Sequence, residues 1–248
     1  ITITAATGKR HFYINGANNK LILRYIKLTG GDVTGNSYNS TCCNPSTNYG
    51  GAIWIIGGEL HLYASILFNN TANSGGAIRT EGPENEIVIN IYNSSIIHNV
   101  ATYSSGGIAA RLTNVNIFNS NISHNIAKID IGGIYIDVSD VVVYNTTISF
   151  NKAGKGGGIY IKGYDTPGST PKVNLTKCVI KGNEATSTDK DNYAIGGGGL
   201  YLHWNMNLCI RETSFISNIA GTNRGNEILT VRKNWDGIDG GTPTISLI

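Results

Sequence analysis

A six-residue pattern of apolar and polar positions recurs along the chain: an apolar residue, two variable residues, an asparagine, one variable residue and an alanine. It occurs six times, with the asparagine at Asn70, Asn99, Asn125, Asn151, Asn183 and Asn218. Ten and eight residues before each asparagine stand two apolar residues, in most copies with a polar residue between them. Alternation of this kind predicts a half-buried β-strand, and its recurrence predicts a repeat protein.

A pair of glycines opens each repeat and is followed within two positions by an apolar residue. The pairs are Gly50-Gly51, Gly75-Gly76, Gly106-Gly107, Gly132-Gly133, Gly157-Gly158 and Gly198-Gly199. Glycine suits a corner that needs a positive φ or a close approach of two backbones. Each repeat then contains three short strands: one after the glycine pair, one with the paired apolar residues and one before the asparagine.

The repeats predict an all-β fold, a right-handed single-stranded parallel β-helix (solenoid) with three strands per coil and about seven to eight coils. We interpret residues 1–248 as one such domain, and as a fragment or stacking subunit of a longer assembly. Adjacent coils lie about 4.8 Å apart, so equivalent side chains lie over one another. The six asparagines are therefore expected to form an interior ladder of hydrogen-bonded amides.

Two tetrapeptides in these repeats give a family resemblance. Gly-Gly-Ala-Ile stands at 50–53 and 75–78, and Phe-x-x-Asn stands at 215–218. With these motifs the sequence resembles the passenger domains of chlamydial polymorphic outer-membrane proteins, which carry repeated GGAI and FxxN tetrapeptides. The resemblance implies a parallel β-helix exposed at a cell surface, where it adheres or forms a stalk.

Composition narrows the range of functions. Charged residues make up 14% of the chain, against about 25% on average, and the net charge is +3 without a run of Lys or Arg. These features argue against nucleic acid as a partner, and no apolar stretch is long enough for membrane insertion in this segment. Metal-ligand spacings and serine-hydrolase motifs are absent from the sequence, so we expect no metal, no cofactor and no catalytic residue.

Two columns of the predicted solenoid are candidate surfaces. Two residues after the second glycine stand Ile53, Ile78, Ala109, Tyr135, Tyr160 and Tyr201, which are expected to face outward. They form an interface for another chain or for sugar rings, or a loop of the same chain covers them. Two residues further stand Thr80, Arg111, Asp137, Lys162 and His203. This second column is either a ladder of ion pairs on an exposed face or the site of an enzyme.

Sequons and cysteines point weakly to an oxidising, extracellular compartment. Asparagine glycosylation sequons begin at Asn39, Asn69, Asn93, Asn121, Asn145 and Asn174, all at expected loop or outward positions. Cys42 and Cys43 are candidates for a vicinal disulfide. A bridge between Cys178 and Cys209 is not expected, because the first is predicted to point inward and the second outward.

The sequence therefore favours a non-catalytic, secreted or cell-surface protein with a structural or adhesive role, such as a glycosylated filament or surface-fibre subunit. Its expected partners are other copies of itself, end to end or side by side, another surface protein, or glycans. The uniform repeat, the low charge and the lack of a visible convergent polar site support this reading. One alternative is a polysaccharide lyase or hydrolase acting from Arg111, Asp137 and Lys162. The other is a carbohydrate-binding module that uses Tyr135, Tyr160 and Tyr201.

Overall fold

The chain is all-β in the part that a computed structural model describes, which comprises residues 1–35, 48–82, 87–163, 170–187, 196–221, 225–231 and 244–247. Every helix or strand assigned there is a β-strand, and strands of successive repeats pair in parallel to build four sheets. The predicted parallel β-solenoid is thereby confirmed. We number the sheets I to IV in the order in which one coil visits them after its glycine pair.

Sheets I and II follow the glycine pair and carry the paired apolar residues, respectively. Sheet I contains β2 (Phe12–Ile14), β5 (Ile53–Ile55), β9 (Ile78–Thr80), β13 (Ile108–Arg111), β17 (Ile134–Asp137), β21 (Ile159–Lys162), β25 (Leu200–His203) and β29 (Ile228–Val231). Sheet II contains β3 (Lys20–Arg24), β6 (Gly58–Tyr63), β10 (Ile87–Tyr92), β14 (Thr113–Phe118), β18 (Val141–Tyr144), β22 (Lys172–Thr176), β26 (Asn207–Arg211) and β30 (Thr244–Leu247).

Sheets III and IV flank the repeated asparagine. Sheet III contains β1 (Thr2–Thr4), β4 (Lys27–Thr29), β7 (Ile66–Phe68), β11 (Ser95–Ile97), β15 (Asn121–Ser123), β19 (Thr147–Ser149), β23 (Val179–Lys181) and β27 (Ser214–Ile216). Sheet IV contains β8 (Thr71–Ser74), β12 (Val100–Ser104), β16 (Ile126–Ala127), β20 (Lys152–Ala153), β24 (Glu184–Ala185) and β28 (Ile219–Ala220).

Sheet IV corrects the expectation of three strands per coil. Its strands follow the asparagine, and several of them contain only two residues, as in β16 and β20. Two residues are too few to show an alternating pattern, so the repeated alanine is the one trace of these strands in the sequence. That alanine is buried in each of these strands, as Ala101, Ala127 and Ala153 illustrate.

The core is a continuous stack of aliphatic side chains inside the coils. Strands such as β10 and β14 alternate buried and half-buried residues along their length, so one face of sheet II points inward and the other outward. Ile89 pairs with Val115 of the next coil and Ile91 with Ile117, and all four are fully buried. Each such side chain contributes about 1.5–3 kcal/mol of hydrophobic stabilisation, and each coil covers the apolar faces of its neighbours.

The glycine pairs lie where consecutive coils approach too closely for a side chain. A Cβ atom added to Gly133 would lie 2.4 Å from the carbonyl oxygen of Gly158, and one added to Gly158 would lie 2.5 Å from that of Gly199. Neither residue has a φ in the left-handed region. The sequence allowed two reasons for glycine at these corners, a positive φ and a close approach of two backbones. For these second glycines the reason is the close approach.

In the first coils, the residues of sheet I that point inward differ from the expected ones by one position. Ile53 and Ile78 pair with each other, and Ile78 pairs with Ile108; all three are fully buried in the core. Gly-Gly-Ala-Ile holds one residue more before its isoleucine than Gly-Gly-Ile at 106–108 does. The prediction that Ile53 and Ile78 form an outward interface is therefore wrong. Their places in the outward column are taken by Trp54 and Arg79.

Candidate functional site

The six repeated asparagines lie in one buried column at the corner between sheets III and IV. The backbone N–H and the Nδ2 of Asn99 both donate to Asn125 Oδ1 at 3.0 Å, and Asn125 makes the same two bonds to Asn151. Asn125 Nδ2 also donates to the Ile96 carbonyl at 2.8 Å. The pattern runs from Asn70 to Asn218, and five of the six residues have no exposed surface. Such a column fixes the register of the coils and does not contact solvent.

A groove of about 780 Å³ runs along the outer face of sheet I and is the candidate functional site. It crosses five consecutive strands of that sheet, from β9 to β25, so it is about 19 Å long at a coil spacing of about 4.8 Å. Its walls are lined by Tyr49, Asn73, Ser74, Arg79, Tyr103, Ser104, Arg111, Asp130, Ile131, Tyr135, Asp137, Lys155, Tyr160, Lys162, Tyr201, His203 and Trp204.

A chain of ion pairs follows the groove. Asp137 lies between two basic residues, with Arg111 Nε 3.4 Å from its Oδ2 and Lys162 Nζ 3.7 Å from its Oδ1. Arg111 Nη1 also lies 3.5 Å from Glu81 Oε1, and Lys155 Nζ lies 2.9 Å from Asp130 Oδ1. The Asp137 side chain is only 11% exposed, whereas that of Arg111 is 48% exposed. The carboxylates therefore lie beneath the basic side chains, and the groove presents mainly cations to solvent.

Thr80 does not belong to the charged column in which the sequence placed it. Its side chain is buried, and its Oγ1 lies 2.7 Å from Thr113 Oγ1 of the next coil. The one-residue shift of the early coils turns Thr80 inward and brings Glu81 to Arg111 instead. Arg111, Asp137, Lys162 and His203 do pair as one column across β13, β17, β21 and β25.

The three tyrosines of the outward column stack on one another along the groove floor. Ring centroids are 5.3 Å apart between Tyr135 and Tyr160 and 4.6 Å apart between Tyr160 and Tyr201. Tyr135 and Tyr160 are half-buried, and Tyr201 is 2% exposed. Because each ring covers its neighbour, the stack offers ring edges and hydroxyl groups to the groove more than ring faces.

Burial keeps the groove tyrosines in their neutral form. It raises the pKa of Tyr135, and the nearby charge of Asp137 raises it further. Burial likewise raises the pKa of Tyr160 and Tyr201. It has the opposite effect on His203: desolvation, and then the charges of Lys162 and Lys155, lower its pKa to about 4. At neutral pH the histidine is therefore uncharged.

The groove ends near β25 at a cluster of aromatic and basic side chains. The Tyr160 hydroxyl lies 2.8 Å from His203 Nδ1, and the His203 ring packs against Trp204 at 4.5 Å between centroids. Lys162 Nζ lies 4.7 Å from the centre of the Trp204 ring. This end of the groove therefore combines an uncharged imidazole, an indole and an ammonium group.

Sequence reasoning missed about half of the groove. Tyr103 lies in β12, where the pairing with β8 is irregular, and Asp130 and Lys155 lie between sheet IV and the glycine pair. Trp204 follows the last residue of β25 with φ 70°. These residues come to lie beside the tyrosine column only because the corner segments of successive coils are stacked in space. Together with the column they form a convergent polar site, which the sequence did not reveal.

The other predicted residues lie away from the groove. Asn69, Asn93, Asn145 and Asn174 are exposed, Asn121 is half-buried, and Asn39 lies outside the described residues. Cys178 is buried and Cys209 is partly exposed, and neither forms a disulfide. The candidate vicinal pair Cys42 and Cys43 falls outside the described residues.

Comparison with known proteins gives no relative: neither a family model, nor a curated protein, nor a solved structure matches this chain. Across the described segments, no three His, Cys, Asp or Glu side chains are grouped so as to hold a metal ion. The same segments contain no helix of the length and apolarity that crossing a membrane requires.

Proposed function

We propose that this protein is a non-catalytic extracellular adhesive module that holds a glycan chain in the groove along sheet I. The groove carries this proposal: it is concave, about 19 Å long, and lined by aromatic rings and hydrogen-bonding groups of both charges. A polymer of repeating sugars suits a site whose own groups recur from coil to coil. The resemblance to surface passenger domains agrees with an adhesive role.

Tyr103 supplies the aromatic face that the stacked tyrosines do not. Its side chain is 51% exposed at the groove wall, and within the described residues no aromatic ring or basic group stacks on it. Arg111 and Lys162 of sheet I, and Lys155 on the same side as Tyr103, can donate hydrogen bonds to sugar hydroxyl groups. A glycan would therefore rest on Tyr103 and be oriented by the charged column.

The extracellular location is part of the proposal. Exposed sequons at Asn93, Asn145 and Asn174 are accessible to N-glycosylation, and the low charge fits a protein that presents a large surface to other molecules. The partners we propose besides glycans are further copies of the chain or another surface protein.

We also infer that the coils wind to the right and that the solenoid is single-stranded, because crossovers between parallel strands are right-handed in about 98% of cases.

A glycan array followed by calorimetric titration of the hits tests the proposal. We expect binding of a polysaccharide fragment, and a loss of about tenfold in affinity for Tyr103→Ala, which removes one stacking ring. Tyr25→Ala is the matched control, because Tyr25 is 75% exposed and lies outside the groove. Absence of binding to any glycan, or equal effects of the two variants, would contradict the proposal.

A polysaccharide lyase or hydrolase is the second candidate, and the position of Asp137 between Arg111 and Lys162 favours it. Against it, hydrolysis generally uses two carboxyl groups of which one must donate a proton, and both carboxylates that line the groove are ion-paired. Incubation with a panel of polysaccharides distinguishes the two functions. Cleavage by the wild-type chain that Asp137→Asn abolishes would replace the binding proposal with an enzymatic one.

A further inference from the structure

Within the described residues, three buried polar atoms at the end of the groove near β25 have no hydrogen-bond partner. They are the Tyr201 hydroxyl, His203 Nε2 and Trp204 Nε1. All three residues line the groove, and Tyr201 is 2% exposed. A buried polar group without a partner is costly, so a cluster of three marks a place where a ligand would supply the missing bonds.

The hydrogen bond between Tyr160 and His203 determines what His203 offers to such a ligand. Burial keeps the Tyr160 phenol protonated, and its hydroxyl lies 2.8 Å from His203 Nδ1. With the Tyr160 O–H assigned as the donor, the neutral imidazole accepts this hydrogen bond at Nδ1 and carries its own hydrogen on Nε2. All three unpartnered atoms are then donors: Tyr201 O–H, His203 Nε2–H and Trp204 Nε1–H.

Two lysines complete the electrostatics of this cluster. The charges of Lys162 and Lys155 both act on His203, and Lys162 Nζ lies over the Trp204 ring at 4.7 Å. Lys155 is paired with Asp130 and Lys162 with Asp137, and each ammonium group has further N–H donors beyond that pair. A set of donors beside two ammonium groups suits an anion. The Lys162 side chain is long and 29% exposed, so its movement gives a ligand access to the donors beneath it.

We propose that this end of the groove is a subsite for the anionic group of an acidic sugar, so that the glycan bound in the groove is an acidic polysaccharide. The inference rests on the proposed glycan-binding function and names its ligand class. Tyr201, His203 and Trp204 donate hydrogen bonds to the anionic oxygens, while Lys155 and Lys162 supply further N–H donors from beside them. Tyr103 stacks against the chain nearer the other end of the groove.

Calorimetric titration with three probes tests the ligand class: trigalacturonate, its fully methyl-esterified form and a sulfated oligosaccharide of similar length. We expect the acid to bind at least tenfold more tightly than its neutral ester, with an affinity that falls as salt rises. Tighter binding of the sulfated probe would also support the proposal and would identify the anion as a sulfate ester. If neutral glycans bind as tightly as acidic ones, the inference is overturned while the glycan-binding function stands. No binding by any glycan would overturn that function itself.

The variant Tyr201→Phe tests the position of the subsite, because it removes only the unpartnered hydroxyl. We expect the thermal midpoint of unfolding to stay unchanged or rise, and the affinity for the acidic probe to fall about tenfold. Tyr92→Phe, in the outer tyrosine stack of sheet II, is the matched control and should bind like the wild type. Trp204→Phe provides a second test that keeps the ring and removes Nε1–H. Wild-type affinity in both groove variants would overturn the placement.

Discussion

The asparagine column shows how one residue type satisfies a buried corner. Between the two ends of the column, each amide oxygen accepts two bonds from the preceding coil, and each amide nitrogen donates to the next asparagine and to a backbone carbonyl, as Asn125 does. A buried polar side chain of this kind is tolerated only when all of its groups are paired. Aspartate, threonine or alanine would leave at least one of these groups unpaired.

Replacing Asn125 by alanine should therefore destabilise the solenoid strongly. The change leaves the backbone N–H of Asn99 and the carbonyl of Ile96 without these partners inside the core. We expect a loss of about 3 kcal/mol or more in the free energy of unfolding, measured by urea denaturation. Asn116→Ala is the control: Asn116 bonds to Asn90 on the half-buried outer face, and its loss should cost about 1 kcal/mol or less. Equal costs would contradict the interior ladder.

His203 gives the groove a characteristic pH dependence. Its pKa is about 4 in the folded chain against 6.5 as the ordinary value, so the unfolded chain takes up the proton first as the pH falls. The contribution of His203 to stability is fully present above pH 6.5 and is lost as the pH falls from 6.5 to about 4. We expect an NMR titration of the His203 ring to show a midpoint near 4. A midpoint close to 6.5 would mean that the ring is solvated and that the lysines do not act on it.

At the scale of elements, the glycine corners limit how the coils can vary. Strands tolerate changes on their outer face, whereas the second glycine of each pair faces a carbonyl oxygen of the next coil. Extra residues can enter only before or after this corner, as the additional alanine of Gly-Gly-Ala-Ile shows. A single added residue turns the following side chains by half a period and exchanges inward for outward positions.

Gly133→Ala tests this constraint. The added methyl group would lie 2.4 Å from the Gly158 oxygen, so the two coils must separate and their hydrogen bonds must lengthen. We expect a loss of more than about 2 kcal/mol in stability, measured by chemical denaturation. In Gly35→Ala the new methyl group meets no atom of the described residues within 4 Å, so this control should be neutral or gain up to about 1 kcal/mol. If both variants are as stable as the wild type, the backbones of adjacent coils do not approach as closely at Gly133 as described.

The sequence predicted the columns that recur and missed those that do not. Asn125 and its equivalents, and the aliphatic pairs of sheet II, could be aligned because each copy obeys one spacing. The inward and outward positions of the early coils were assigned wrongly, because Ala52 and Ala77 each add one residue after the glycine pair. An argument from periodicity alone assumes that this number of residues is the same in every coil. Short strands such as β16 could not be predicted from the sequence, because they have no alternating residue pattern. Hydrogen bonds to the neighbouring coils stabilise them instead.

For the whole molecule, the groove is a property of the stack and of no single coil. Most coils contribute three or four residues: Tyr103 and Arg111 come from one, Asp130 and Asp137 from the next. The corner residues stand seven or eight positions before the charged strand residues, but their types differ from coil to coil, so no motif links them in the sequence. The interior columns hold the coils in register, and the register aligns these groups into one continuous wall.

A crystal structure of the chain with bound trigalacturonate would test the account most directly. We predict the sugar along the outer face of sheet I, between Tyr103 and Trp204, with a carboxylate in hydrogen-bonding distance of Trp204 Nε1 and His203 Nε2. Sugar bound on the outer face of sheet II, or a groove that stays empty at saturating ligand, would contradict it.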